Sequence, residues 1–149
     1  MTTQSFDELT SLAKQLNEES SDLNATIMQI NQKLAAMNLG MESWFGPWED
    51  EPFQIGFAKV EDGKAATWEL ATRPCTPILK TDDFGIEDWE AEPGSSGQAE
   101  SLLRASRNIR VDGLSLLPQI LSDLERAAKN KIDTIRNAKK IAADLAAKS

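Results

Sequence analysis

The chain of 149 residues contains neither histidine nor tyrosine. Without an imidazole it cannot assemble Ser/His/Asp or Cys/His nucleophilic machinery, histidine acid–base chemistry near neutral pH, or an ordinary zinc hydrolase site. Cys75 is the single cysteine, which rules out an intrachain disulfide and a thiolate-rich zinc site and suits a reducing compartment. Apolar runs are short: none approaches the roughly 20 residues a bilayer span requires. The segment Met1 to Leu9 includes Asp7 and Glu8 and lacks both a basic start and an apolar stretch, which argues against a secretory signal and for a cytoplasmic protein. Neither a Gly-x-Gly-x-x-Gly turn nor a phosphate-binding loop is present. Asp83-Phe84-Gly85 repeats a kinase tripeptide, but no catalytic loop or glycine-rich loop accompanies it, so it is read as coincidence. What remains for chemistry is Ser/Lys pairing, carboxylates, and magnesium or calcium held by oxygen.

What is present is a length suited to a single domain over residues 1–149 and a strongly polarised charge. Residues 1–40 contribute −3, residues 41–97 contribute −9 and residues 98–149 contribute +4 to the net −8. Either the acidic middle docks on the basic C-terminal segment, or the two surfaces meet different partners.

The N-terminal segment reads as a helix over 6–38, opened by a capping box from Ser5 to Glu8 and stopped at Gly40. Leu9, Leu16, Leu23, Ile30 and Met37 recur every seven residues. Phe6, Ala13, Ser20, Ile27, Leu34 and Met41 occupy the complementary position. This is a coiled-coil-type seam. Asn17, Asn24, Asn31 and Asn38 repeat beside it, either tuning register or forming a solvated flank. Residues 41–92 read as an acidic β-rich insert. A hairpin is expected from Gln54–Val60 and Lys64–Thr72 around Glu61-Asp62-Gly63, with Val60 reached after a slip, and a further short strand at Ile78-Leu79. A second capping signature, Ser95 to Gln98, opens a C-terminal helix over 98–147, kinked or broken near 112–118 by Gly113 and Pro118. Its seam is Leu117, Leu121, Leu124, Ala128, Ile135, Ala138, Ala142 and Leu145, with Lys131 the misfit and Ile132 beside it.

The expected fold is therefore α+β and mostly helical, with two long antiparallel coiled-coil-like helices flanking a small antiparallel sheet. Apolar residues outside the seam, among them Leu12, Leu114, Ile120 and Ile141, widen each helix's apolar face beyond what one partner covers. That width points to a homodimeric four-helix bundle.

Acids cluster at Glu49-Asp50-Glu51 and at Asp82, Asp83, Glu87, Asp88, Glu90 and Glu92, without the Asp-rich calcium-loop spacing. They read as a solvated surface, a site for a basic partner, or a metal site. Trp44, Trp48 and Trp89 stand among or beside them, as core residues or as binding anchors. Arg104, Arg107 and Arg110 would line one helical side, either as a phosphate-binding stripe or as a face that salt-bridges the insert. Basic residues further along lack the interleaved aromatics of a nucleic-acid surface. The candidate partner-binding residues are thus Trp44, Trp48, Asp82, Asp83, Glu87, Asp88, Trp89, Arg104, Arg107 and Arg110; no catalytic, cofactor or metal residue is assigned.

The succession Asn38-Leu39-Gly40, Trp44, the Gly56 to Lys59 strand, a glycine turn, Trp68-Glu69-Leu70, then Leu103-x-Ala105-Ser106-Arg107 and Leu116-Leu117-Pro118-x-Ile120-Leu121 resembles a group of uncharacterised small bacterial and phage proteins of helix, small sheet, helix layout. The resemblance spans most of the chain and implies that layout and a bacterial or phage origin; it carries over no activity. Trp44-Phe45-Gly46 is also similar to the Trp-x-Gly turn of small secreted helical hairpins, but here a long β-like stretch follows it and the tyrosine-based export signal is missing. The sequence points to a non-enzymatic protein–protein interaction module, a dimeric scaffold or accessory subunit of a bacterial or phage multi-component system. An acidic inhibitor or decoy for a basic, nucleic-acid-binding site is the contrasting reading, and a metal-dependent enzyme the third.

Overall fold

The computed structural model describes residues 2–148, with side chains from residue 6 onward. It is an α+β structure of helix, small antiparallel sheet and helix. Helix α1 runs Thr2–Ala36, starting ahead of the anticipated box at Ser5, whose side chain lies outside the described residues. It ends in a tightened turn, Met37 N–H to Leu34 O at 3.2 Å and Asn38 N–H to Ala35 O at 3.1 Å. Asn38, at φ 52°, then takes the left-handed conformation ahead of Gly40.

The β-rich stretch comprises β1 (Ser43–Phe45), β2 (Phe53–Asp62), β3 (Ala65–Pro74), β4 (Pro77–Thr81), β5 (Glu87–Ala91) and β6 (Glu100–Ser101). One sheet has the order β1-β2-β3-β6, and β4 pairs only with β5. The β2–β3 hairpin turns at Gly63, φ 64°, and is in continuous register from Phe53 opposite Pro74 to Asp62 opposite Ala65. No slip occurs. Ile55 and Phe57 point to one face, while Ala58 and Val60 point to the other, where Trp44 and Ala99 cover them. The sheet is thus apolar on both sides at its centre.

Strand β1 approaches β2 so closely that a Cβ on Gly56 would lie 1.7 Å from the Ser43 carbonyl oxygen. Only glycine admits that contact. Ser43 is buried, and its hydroxyl donates to Asp123 Oδ2 at 2.8 Å.

The C-terminal helix begins later than the capping signature at Ser95 implies. Ser95 instead closes a loop, its hydroxyl donating to Glu92 O at 2.6 Å and accepting from Thr76 N–H at 3.1 Å. Residues 100 and 101 add β6 to the edge of β3, opposite Thr72 and Ala71. A 3-10 turn, Leu102–Arg104, leads to Ser106, which caps helix α2 (Arg107–Ser115) by accepting from Ile109 N–H. Helix α3 (Leu117–Ala147) follows, with Pro118 in its first turn, where its missing N–H costs nothing. The break falls where glycine and proline anticipate it.

The principal core joins Ile27 and Leu34 of α1, Phe57 and Leu70 of the sheet, Leu102, and Ile120 and Leu124 of α3. Each such side chain contributes about 1.5–3 kcal/mol by leaving water. Trp68 stacks on Phe57 at 5.7 Å. Between α1 and β3, Leu70 N–H donates to Asn31 Oδ1 at 2.8 Å, so one member of the asparagine repeat satisfies a strand donor that β2 and β6 leave free.

Antiparallel pairing of the long helices does not occur within this core. Asn24 bonds Arg110, and further along, Leu34, Met37 and Leu39 share a cavity with Leu121, Leu124 and Ala128. Helix α1 thus meets α2 near Asn24 and the first turns of α3 near Leu34 to Leu39, and α3 beyond Ala128 does not return along α1. The insert is not a cap at one end of a helical hairpin. It packs against the helices, β3 on α1 and β1 on α3, and β6 returns the chain to the edge of β3 before α2 begins.

Two substitutions test this arrangement. Gly56→Ala is expected to lower stability by about 2–3 kcal/mol through the forced clash with β1. Asn31→Ala is expected to cost about 1–3 kcal/mol by stranding the Leu70 N–H. Urea unfolding followed by tryptophan fluorescence measures both, and a neutral result for either variant would contradict the corresponding contact.

Candidate interaction surfaces

The unpacked parts of α1 and α3 leave the core from opposite ends of the packed stretch of α1, one ahead of Ser20 and the other after Ala128, beside Leu34 to Leu39. Every residue from 6 to 19 of α1 and every residue from 129 to 148 is exposed. These halves are apolar along one stripe: Phe6, Leu9, Leu12 and Leu16 on the first arm, and Ile132, Ile135, Ile141 and Leu145 on the second, with Phe6 at 72% and Leu145 at 65% exposure. A helix of this length is marginal alone in water, and an uncovered apolar stripe is a surface awaiting a partner. The ion pairs formed by α3 among the described residues are local to it: Arg126 to Asp123 at 3.3 Å and Lys129 to Glu125 at 3.1 Å. The basic arm is therefore not neutralised by the acidic insert.

The tryptophans divide between packing and exposure. Trp44 lies over the second face of the sheet, with the Arg73 guanidinium 4.2 Å from its ring centroid and its Nε1–H donating to Glu42 at 3.1 Å. Arg73 Nε–H also donates to buried Gln54 Oε1 at 2.8 Å, and Gln54 Nε2–H to Gly46 O at 2.8 Å. Trp44 is thus built into the fold. Trp48 packs edge-on against Phe53 at 6.1 Å and lines an open groove of about 530 Å³ with Glu49, Glu51, Asp112, Ser115, Leu116 and Gln119. An aromatic ring beside three carboxylates suits a cationic side chain. Sequence reading paired Trp48 with Glu49 and Glu51 but missed Asp112, which the α2–α3 joint brings from far along the chain.

Asp82 organises the β4–β5 turn, its Oδ1 accepting from Phe84 N–H and Ile86 N–H, each at 2.9 Å. Asp83, Glu87 and Asp88 are exposed beside it, and Asp88 Oδ1 accepts from Trp89 N–H at 3.0 Å. Trp89 is half-buried opposite Leu79. The hairpin tip presents Phe84, 89% exposed, and Ile86, two positions that stand among the acids but were not counted with the candidate partner-binding residues, because alternation alone does not tell a hairpin tip from a covered strand.

The three arginines form no stripe. Arg104 belongs to the 3-10 turn and pairs with Asp62 at 2.9 Å. Arg107 sits near Glu19 and Asp22 in a shallow cavity. Arg110 donates through Nη1 to Asn24, and its buried Nε has no hydrogen-bond partner among the described residues. The arginine stripe required one helix from residue 98; the late start of α2 removes it.

Among the described residues, no group of three or more Cys, Asp or Glu side chains stands close enough to hold a metal ion, and no helix is long and apolar enough to cross a membrane. Cys75 is buried. Burial pushes its thiol pKa up from the ordinary value, with nearby Arg73 offsetting part of the shift. No protein-family model, curated protein or solved structure compared with the chain matches it.

A raised thiol pKa means less thiolate at a given pH than a free cysteine provides. Cys75 is accordingly expected to react slowly with a disulfide reagent at pH 8 in the native protein and at the rate of a free thiol in denaturant. Equal rates in the two states would show that the side chain is accessible and unperturbed.

Proposed function

We propose that the protein is a non-enzymatic protein–protein interaction module, a scaffold or accessory subunit of a bacterial or phage assembly, which engages its partners through the two helical arms. The observation that carries this reading is the exposure of every residue along both arms while each keeps a continuous apolar stripe. Coiled-coil pairing, absent between α1 and α3 within one chain, is assigned here to contacts with another chain. Seam residues removed from water on such pairing contribute about 1.5–3 kcal/mol each for Leu or Ile. The acidic insert is a secondary surface, its Trp48 groove suited to a basic residue of a partner.

The test replaces Leu9 and Leu16 with Ser in one variant, and Ile135 and Leu145 with Ser in another. All four positions are exposed, so the tryptophan near-UV signal of the core is expected to persist. Self-association by sedimentation velocity, and capture of partners by the tagged chain in bacterial cells, are expected to fall to background in both variants. The reading is wrong if the variants associate and capture as the parent does, or if the parent does neither. Capture lost on charge reversal of Asp82, Asp83, Glu87 and Asp88, but kept in the arm variants, would favour an acidic decoy instead.

A further inference from the structure

Resting on that reading, we infer that the partner covering the arms is a second copy of this chain, and that the acidic arm of α1 in each protomer pairs antiparallel with the basic arm of α3 in the other. Charge, register and geometry converge on this arrangement.

Residues 6–23 hold Asp7, Glu8, Glu18, Glu19 and Asp22 against Lys14, a net −4. Residues 129–148 hold six Lys or Arg against Asp133 and Asp144, a net +4. Unlike arms attract, whereas α1 with α1 or α3 with α3 sets like charges side by side. Such patterns decide partner choice and orientation in coiled coils.

The seams also match in one antiparallel register. The α1 stripe steps Phe6, Leu9, Ala13, Leu16, Ser20, and the α3 stripe read backwards steps Leu145, Ala142, Ala138, Ile135, Lys131. Every spacing coincides. The one polar position of each stripe, Ser20 and Lys131, falls opposite the other, and a shift by one heptad would place both against apolar positions. A polar layer of this kind fixes register at the expense of some stability.

Geometry supplies the third constraint. The arms leave the core at opposite ends, so one chain cannot pair its own. A two-fold dimer that joined like arms at one end would leave the arms at the other end bare, and covering those through a further copy would build an open chain. Pairing unlike arms about a two-fold axis beside the cores covers all four arms in one closed dimer. Each arm pair spans about 25 Å at 1.5 Å per residue.

The experiment uses the full chain with Cys75 replaced by Ala, so that introduced cysteines are the only thiols. Leu9→Cys and Ala142→Cys variants are mixed and oxidised. A disulfide between the two variants, exceeding that in either variant alone, is the expected result. Reversing Glu18, Glu19 and Asp22 to Lys is expected to weaken the dimer about tenfold, as is reversing Lys129, Lys131 and Arg136 to Glu, whereas mixing the two reversed chains sets unlike charges together in both arm pairs and is expected to restore association. Combining all six reversals in one chain restores both, and sedimentation equilibrium is expected to show the parent affinity. Preferential self-linking of Leu9→Cys or of Ala142→Cys, a monomer at about 100 μM, well above ordinary dimer affinities, or no rescue by the sixfold variant overturns the inference. These outcomes leave arm-dependent capture of another protein as a separate result, which decides the broader reading independently.

Discussion

The helices of this protein are longer than the sheet that they pack on, and most of its surface chemistry follows from that mismatch. Strand β2, of 10 residues, spans about 33 Å. Helix α1, of 35 residues, spans about 52 Å. The overlap admits one small cluster around Phe57 and Leu70, which can bury Ile27 and Leu34 from one helix and Ile120 and Leu124 from the other. Everything beyond that overlap is left in water. The α1 arm leaves ahead of Ser20 and the α3 arm after Ala128, beside Leu34 to Leu39, so the excess falls at opposite ends of the packed stretch of α1, as two arms that do not shelter each other.

Few polar contacts fix how the helices lie on the sheet, and each acts where apolar packing alone would allow sliding. Asn31 accepts from Leu70 N–H, tying α1 to a single position along β3. Ser43 donates to Asp123, tying α3 to β1. Both acceptors satisfy donors that would otherwise be costly to bury, so a shift of either helix strands a polar group as well as opening the core. Gly56 adds a steric condition, since β1 can reach its place only over a residue without a side chain. Together these contacts convert a generic apolar match between helices and sheet into one relative placement.

The pattern of residues made some of this legible and hid the rest for identifiable reasons. Period-two alternation and the Glu61-Asp62-Gly63 turn located the β2–β3 hairpin, because a long hairpin with a glycine turn is specified locally. The break at 112–118 was legible from Pro118 for the same reason. Helix direction was not, since heptad spacing is identical for a helix that pairs with its own chain and one that pairs with another. The start of α2 was misplaced because Ser95 and Gln98 satisfy a capping pattern that Ser95 uses to close a loop, while Glu100 and Ser101 add a strand whose two residues carry no periodic signal. The arginine stripe fell with that boundary. The asparagine repeat looked like a solvated flank, yet Asn31 and Asn24 meet Leu70 and Arg110 from distant elements, contacts that no local window contains. The groove at Trp48 depended on Asp112 in the same way.

The charge asymmetry takes its meaning from this geometry. A basic C-terminal segment beside an acidic insert suggests neutralisation within one chain, but among the described residues one ion pair joins those segments, Arg104 of the 3-10 turn with Asp62 at the β2–β3 turn, and it involves no residue of the basic arm. The +4 of residues 129–148 stays in solvent, and so do the acids of residues 6–23, of which Glu19 and Asp22 lie near Arg107. Two opposite charges held apart on rigid helices cannot relax toward each other, so their attraction is available only to a second molecule. Apolar stripes supply non-directional affinity, and would pair like arms as readily as unlike ones. The opposed charges, with Ser20 and Lys131 as the only polar seam positions, discriminate between those pairings, and rigid separation of the arms makes the discriminated pairing the one that closes.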